Sequence, residues 1–96
     1  MRQQELIDAN REAIRAIVSK YGCSNLRVFG SVAQGTANSN SDIDFVVDVG
    51  EDTSLFDLSG IYHELAQTLA TDIDLITSQQ IPTEARGSLL ESAQPV

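Results

Sequence analysis

The spacing of apolar residues changes along this chain, and the change limits which folds the chain can adopt. From residue 2 to residue 21 apolar positions recur every three or four residues, the period of an amphipathic helix. The stripe consists of Leu6, Ile7, Asn10, Ile14, Ile17, Val18 and Tyr21. Gly22 is suited to ending it, because glycine readily adopts the left-handed conformation that follows helix C-termini. The sequence therefore predicts one long first helix.

Three short segments have the composition of strands instead. They cover residues 25–29, 42–49 and 72–77, and each is apolar or alternates acidic with apolar residues. Residues 30–41 are rich in glycine, serine and asparagine and predict a loop between the first two strands. Phe29 and Phe45 are expected to face the buried side of the sheet, away from the acidic side chains.

Two further helices are predicted in the second half of the chain. Ser54 and Asp57 have the spacing of a capping box at the start of the first, which continues to about Ala70. Tyr62, Phe56 and the leucine stripe of residues 55–69 are more typical of a core face than of a groove for a partner. Pro82 begins the second helix, which runs to about Ser92. Helix, strand, strand, helix, strand, helix is the order of a small α/β or α+β domain, here a single domain over residues 1–96.

Charge and composition exclude several classes of protein. With 14 acidic and 6 basic side chains the net charge is −8, which disfavours direct binding to nucleic acid or to an anionic membrane. A triphosphate would need divalent cations beside it. The chain has no apolar run of the ~20 residues that span a membrane and no secretory h-region after Met1. Cys23 is its one cysteine, and these features together predict a cytoplasmic protein.

Acidic residues at the starts of two predicted strands form the candidate chemical site. Asp42 and Asp44 lie two residues apart, and residues two apart on a strand point to the same face. Carboxylates held so close repel one another unless cations share them, and Mg²⁺ prefers carboxylate and phosphate oxygens. Asp74 can join them from the third strand, with Asp72 as its rival because it has the same parity. Asp74 is favoured because it lies deeper in the strand.

Other polar residues near these strands have weaker claims. Asp48 shares the parity of Asp42 and Asp44 but lies near the end of its strand, and it is expected to be solvated. Arg27 is expected either to face solvent or to reach a phosphate. Gly30 and Ser31 follow the first strand, where a glycine lets the backbone approach a ligand closely and a serine hydroxyl can donate to a phosphate. They predict a phosphate-binding turn without a Walker sequence.

Gly-Ser, ten residues and then Asp-x-Asp, as in Gly30-Ser31 and Asp42-Ile43-Asp44, resembles the signature of the DNA polymerase beta-like nucleotidyltransferases. Gly-Ser-x-Ala-x-Gly and Ser-Asp-Ile-Asp are similar to the minimal nucleotidyltransferase (MNT) group, and the likeness extends over residues 5–92. The resemblance implies the nucleotidyltransferase fold, with a small mixed sheet of three or more strands flanked by about four helices. It also implies an antitoxin that is paired with a HEPN-domain toxin.

The resemblance also implies roles for individual residues. Gly30 and Ser31 would hold the triphosphate of ATP. Asp42, Asp44 and Asp74 would be the catalytic carboxylates and would bind two Mg²⁺ ions, with Mn²⁺ as the alternative metal. The reaction implied is transfer of AMP to a tyrosine hydroxyl of the toxin. Val32 and Gln34 stand where the family often has basic residues, which leaves neutralisation of the triphosphate to metal ions.

Two other functions remain open from the sequence. One is a non-catalytic antitoxin that inhibits its toxin by direct contact, which the absence of the basic residues favours. The other is a nucleotidyltransferase for a small molecule. Enzymes of that kind usually carry an additional domain to hold their substrate.

Overall fold

The computed structural model describes residues 3–29 and 43–96. Within these ranges the helices are α1 (Gln3–Ala9), α2 (Arg11–Lys20), α3 (Leu55–Leu69) and α4 (Thr83–Ser92), with a 3₁₀ helix at Ser78–Gln80. The strands are β1 (Ser24–Phe29), β2 (Ile43–Asp48), β3 (Ile73–Thr77) and β4 (Gln94–Pro95). None of the helices in these two ranges is long and apolar enough to cross a membrane.

The strands form one mixed sheet in the order β3-β2-β1-β4. β1 is antiparallel to both β2 and β4, whereas β2 and β3 are parallel. A parallel pair needs a crossover connection, and α3 supplies it. The predicted fold class, a small mixed sheet with about four helices, is confirmed. β4 was not predicted, because two residues that pair through their backbones carry no periodicity in sequence.

The main core lies between one face of the sheet and helices α2 and α3. Val28, Phe45 and Val47 point to this face from β1 and β2 and are buried. The helices bury the following side chains against them: Ile14, Ile17, Val18, Ile61, Leu65 and Leu69. The predicted core stripe of residues 55–69 is therefore confirmed at the three positions of α3 in this group. It is wrong at the start of the helix, where Leu55, Phe56 and Tyr62 are exposed because that side of α3 does not face the sheet.

The first helix is interrupted, contrary to the prediction of one helix over residues 2–21. Asn10 separates α1 from α2 with φ −114° and ψ 15°, and its side-chain amide donates to the Leu6 carbonyl at 2.8 Å. Asparagine competes with helical backbone hydrogen bonds in this way, and the break follows from it. Ile7 and Ile14 remain buried on either side, so the apolar stripe is preserved across the break.

Two local features fix α3. The capping box is present, because the Ser54 hydroxyl accepts from the Asp57 amide and the Asp57 carboxylate accepts from the Ser54 amide. Gly60 lies in the middle of the helix because the Tyr21 ring packs against it. A Cβ atom at Gly60 would come within 2.6 Å of that ring.

Candidate active site

Asp44 and Asp74 lie side by side in the sheet. They are register partners on the parallel strands β2 and β3, and Phe29 on β1 is the partner of Asp44 on the other side. Neighbouring strands lie about 4.8 Å apart, and registered residues point to the same face. β1 ends here while β2 and β3 begin here. We call this the carboxylate end of the sheet, defined by Phe29, Asp44 and Asp74.

The two carboxylates occupy the face of the sheet opposite the main core. Asp44 is half-buried and Asp74 is exposed, whereas their neighbours Ile43 and Ile73 are buried on the core side. The prediction that Phe45 faces the core is confirmed. The same prediction for Phe29 is wrong, since its register with Asp44 puts its half-buried ring on the carboxylate face.

The structure distinguishes Asp74 from its rival. Asp74 lies within β3 and in register with Asp44. Asp72 precedes the strand, and its backbone carbonyl accepts from the Ile43 amide at 3.3 Å. Both side chains are exposed. The register favours Asp74 as the third carboxylate, which stays a prediction.

Gly30, Ser31 and Asp42 lie outside the described residues, as do Val32 and Gln34. Their proposed contacts with the triphosphate and with metal therefore stay predictions. Among residues 3–29 and 43–96 there is no group of three histidine, cysteine or acidic side chains that could hold a metal ion. Asp44 and Asp74 offer a pair of neighbouring carboxylates, and Mg²⁺ or Mn²⁺ fits such an oxygen donor set.

Asp48, at the other end of β2, is a different kind of carboxylate. It is half-buried, forms an ion pair with Arg27 at 3.3 Å and accepts from Asn25 Nδ2 at 2.9 Å. Burial raises the pKa of Asp48, but hydrogen bonds from Asn25, Ser78 and Arg27 outweigh it, so that the net pKa is lowered. The prediction that Asp48 is solvated holds only in part, because its side chain is 30% exposed but is bound by Arg27 and Asn25.

A bulge in β1 explains why the sequence did not reveal this cluster. Ser24 pairs with Asp48 and Arg27 pairs with Val46, so β1 carries one extra residue between these two pairs. Asn25 adopts the left-handed conformation there, with φ 54°, which asparagine tolerates better than most residues. The bulge lets both Asn25 and Arg27 reach one carboxylate. The main contact of Arg27 is thus its ion pair with Asp48. From the sequence we expect this side chain either to face solvent or to reach a phosphate, and neither expectation describes that contact.

The Nucleotidyltransferase domain family matches residues 11–96 of the chain. The chain belongs to this family. The assignment agrees with the spacing of Gly-Ser and Asp-x-Asp in its sequence, and the predicted enzyme class, nucleotidyltransferase, is confirmed.

Comparison with individual proteins also supports this family assignment. A protein of Methanocaldococcus jannaschii, whose name gives it as a protein adenylyltransferase, is 32% identical over 90 residues, 94% of this chain and 97% of that protein. A solved structure described as a minimal nucleotidyltransferase is 31% identical and has a TM-score of 0.89 over 97% of this chain and 95% of its own. The predicted resemblance to the minimal nucleotidyltransferases is therefore confirmed.

A third likeness concerns the fold alone. A toxin–antitoxin crystallised with AMP-PNP is 24% identical to this nucleotidyltransferase, with a TM-score of 0.73. The match covers 90% of this chain and 71% of that one. The same sheet and helices therefore recur in a chain of lower sequence identity.

Proposed function

We propose that this nucleotidyltransferase is a cytoplasmic antitoxin that transfers AMP from ATP to a tyrosine hydroxyl of a HEPN-domain toxin and thereby silences it. The reaction depends on Mg²⁺, with Asp42, Asp44 and Asp74 as the metal-binding and catalytic carboxylates. Gly30 and Ser31 hold the triphosphate.

The observation that most supports the proposal is the register of Asp44 with Asp74. Two carboxylates on adjacent strands and on one face repel each other, and divalent cations relieve that repulsion. No arginine or lysine in the described part of the chain forms a salt bridge with Asp74. The donor set is therefore suited to a hard cation that arrives with a nucleotide. The toxin–antitoxin with AMP-PNP supports ATP as that nucleotide.

The chemistry asks little of the protein beyond positioning and charge neutralisation. The tyrosine oxygen attacks the α-phosphorus of ATP, the bond between that phosphorus and the bridging oxygen breaks, and pyrophosphate leaves. Asp74 accepts the proton of the tyrosine hydroxyl. Ser31 and the backbone at Gly30 orient the triphosphate. Asp42, Asp44 and Asp74 would hold Mg²⁺, which would supply positive charge to stabilise the phosphoryl oxygens in the transition state.

A protein acceptor is supported by the relatives and by charge. The M. jannaschii relative is named for protein adenylyltransferase activity, and the structural relatives include toxin–antitoxin complexes. A net charge of −8 favours a basic partner and would speed their encounter.

The test is the intact mass of a purified HEPN-domain toxin after incubation with this protein, ATP and Mg²⁺. We expect the toxin to gain adenylyl units. The gain should disappear in Asp42→Ala/Asp44→Ala and in a toxin whose acceptor tyrosine is replaced by phenylalanine. Asp48→Asn is the matched control, because it removes a carboxylate from the same strand and the same face without touching the proposed site.

Two outcomes would contradict the proposal. If the toxin gains no mass yet is still inhibited by both the wild-type protein and Asp42→Ala/Asp44→Ala, inhibition is by contact. If a nucleotide is transferred to a small metabolite but never to the toxin, the acceptor class is wrong.

A further inference from the structure

The first two turns of α3 expose three large apolar side chains. Leu55 is 83% exposed, Phe56 is 89% exposed and Tyr62 is 38% exposed. Leu55 and Tyr62 are seven residues apart and lie on one face of the helix, with the exposed Ser59 between them. Single exposed leucines are common on proteins, but adjacent exposed leucine and phenylalanine side chains beside a tyrosine are typical of an interaction surface. We call Leu55, Phe56, Ser59 and Tyr62 the α3 patch.

The α3 patch is held in place by the start of the helix. The capping box of Ser54 and Asp57 closes the first turn on either side of Leu55 and Phe56. On the adjoining side of α3, Ile61 and Leu65 are buried in the core. The apolar side chains therefore project from a fixed backbone, which lowers the entropy lost when a partner binds them.

Acidic side chains lie just before the α3 patch in the chain. Glu51, Asp52 and Asp57 line a surface depression of about 400 Å³ next to the start of α3, together with Lys20, which forms an ion pair with Glu64. Glu51 and Asp52 are exposed, and within the described ranges neither forms a salt bridge. The surface thus combines apolar side chains with unneutralised negative charge, which is complementary to an apolar side chain flanked by lysine or arginine.

The patch is remote from the carboxylates. α3 follows β2, so it begins beyond Asp48, at the end of the sheet opposite Asp44 and Asp74. Four residue steps along β2 already separate Asp44 from Asp48 by about 13 Å. A protein bound at the patch would leave the carboxylate end accessible to ATP and to an acceptor side chain.

We propose that the α3 patch is the docking surface for the basic protein acceptor of the nucleotidyl transfer, separate from the site of chemistry. This inference rests on the proposed function. A second copy of this chain is disfavoured as the occupant, because both copies would carry a net charge of −8 and repel each other. An anionic lipid surface is disfavoured by the same charges.

The test measures the dissociation constant between this protein and the HEPN-domain toxin by calorimetry. Phe56→Ser should weaken binding at least tenfold without lowering the melting temperature, since the side chain is exposed. Glu51→Gln/Asp52→Asn should weaken binding severalfold, mainly at low salt. Glu5→Gln/Glu12→Gln changes the net charge equally, at exposed positions in α1 and in the first turn of α2, and should leave binding unchanged. In the transfer reaction Phe56→Ser should raise the KM for the toxin rather than lower kcat.

The outcomes separate this inference from the proposed function. If the wild-type protein binds and modifies the toxin and Phe56→Ser does so with the same affinity, the docking surface is wrong and the function stands. If the wild-type protein neither binds nor modifies the toxin, the function fails and the inference fails with it. A wild-type dimer in sedimentation that Phe56→Ser converts to monomer would assign the patch to a second copy and overturn the inference.

Discussion

Strand β2 carries an aspartate near each end, on the same face of the sheet, and the two have different surroundings. Asp48 is held by Arg27, Asn25 and Ser78, from a bulge in β1 and from the 3₁₀ helix. Asp44 instead lies in register with another carboxylate, Asp74. At one end of the strand an arginine lies beside the aspartate, and at the other end a second carboxylate lies in register with it.

The difference separates a structural carboxylate from a candidate catalytic one. A carboxylate paired with arginine stabilises the fold and has little affinity left for a metal ion. A pair of neighbouring carboxylates can share a divalent cation, as the proposed site requires. The surroundings of each aspartate, rather than its parity on the strand, therefore indicate its role.

Replacing the two aspartates of β2 should have unequal effects on catalysis. We expect Asp44→Asn to lower the rate of nucleotidyl transfer by about 100- to 1,000-fold. The substitution removes a carboxylate charge that is required to bind the metal ions, and these ions neutralise the phosphates. Asp48→Asn should leave transfer within about threefold of wild type. Initial rates with ATP, Mg²⁺ and saturating acceptor check this. Equal losses in the two variants would show that the two ends of β2 do not differ in function.

The free energy of unfolding should depend more on Asp48 than on the carboxylate end of the sheet. Asp48→Asn should lower the free energy of unfolding by about 1–2 kcal/mol, because it leaves the Arg27 guanidinium half-buried without its ion-pair partner. Asp74 is exposed, so Asp74→Asn should change the free energy of unfolding by less than about 0.5 kcal/mol. Urea denaturation without metal measures both. A larger loss in Asp74→Asn than in Asp48→Asn would contradict the assignment of the structural role to Asp48.

The contribution of Asp48 should depend on pH in a definite direction. The folded state lowers the pKa of this carboxyl, so its stabilising effect is complete above the pKa of the unfolded chain and is lost as pH falls through the folded pKa. The stability difference between wild type and Asp48→Asn should therefore be constant above about pH 5 and shrink below about pH 4. A difference that grows on acidification would mean that the pKa is raised.

Gly60→Ala should have a smaller effect and tests the packing near the Asp48 end of the sheet. There the Tyr21 ring packs against α3. Helix propensity alone favours alanine at this position by about 1 kcal/mol. A Cβ atom there would displace the Tyr21 ring, which also donates its hydroxyl to Glu64, so we expect Gly60→Ala to destabilise by about 1 kcal/mol.

Gly87 in α4 is the matched control for Gly60. A Cβ atom at Gly87 meets nothing within 4 Å, so Gly87→Ala should stabilise the protein by about 0.5–1 kcal/mol. Thermal melts of the two variants give the comparison. Stabilisation by both substitutions would show that the Tyr21 contact does not constrain α3.

Patterns of local spacing predicted most of the fold, and long-range register explains what they missed. The strands at Ile43–Asp48 and Ile73–Thr77 and the capped helix α3 follow from alternation and from Ser54 and Asp57. The break at Asn10 depends on one side-chain hydrogen bond, and the pairing of β4 depends on backbone alone. A bulge brings Arg27 to Asp48, and the strand register turns Phe29 towards Asp44. Both are properties of paired strands and not of either strand alone.

The most direct measurement is a calorimetric titration of ATP into the protein with excess Mg²⁺, carried out for wild type, Asp44→Asn and Asp48→Asn. If the carboxylate end binds the metal and nucleotide, wild type and Asp48→Asn should bind ATP with similar affinity, and Asp44→Asn should bind it at least tenfold more weakly. Removing Mg²⁺ with EDTA should abolish binding to the wild type. Unchanged binding in Asp44→Asn, or wild-type binding that survives EDTA, would contradict the assignment of this end of the sheet as the active site.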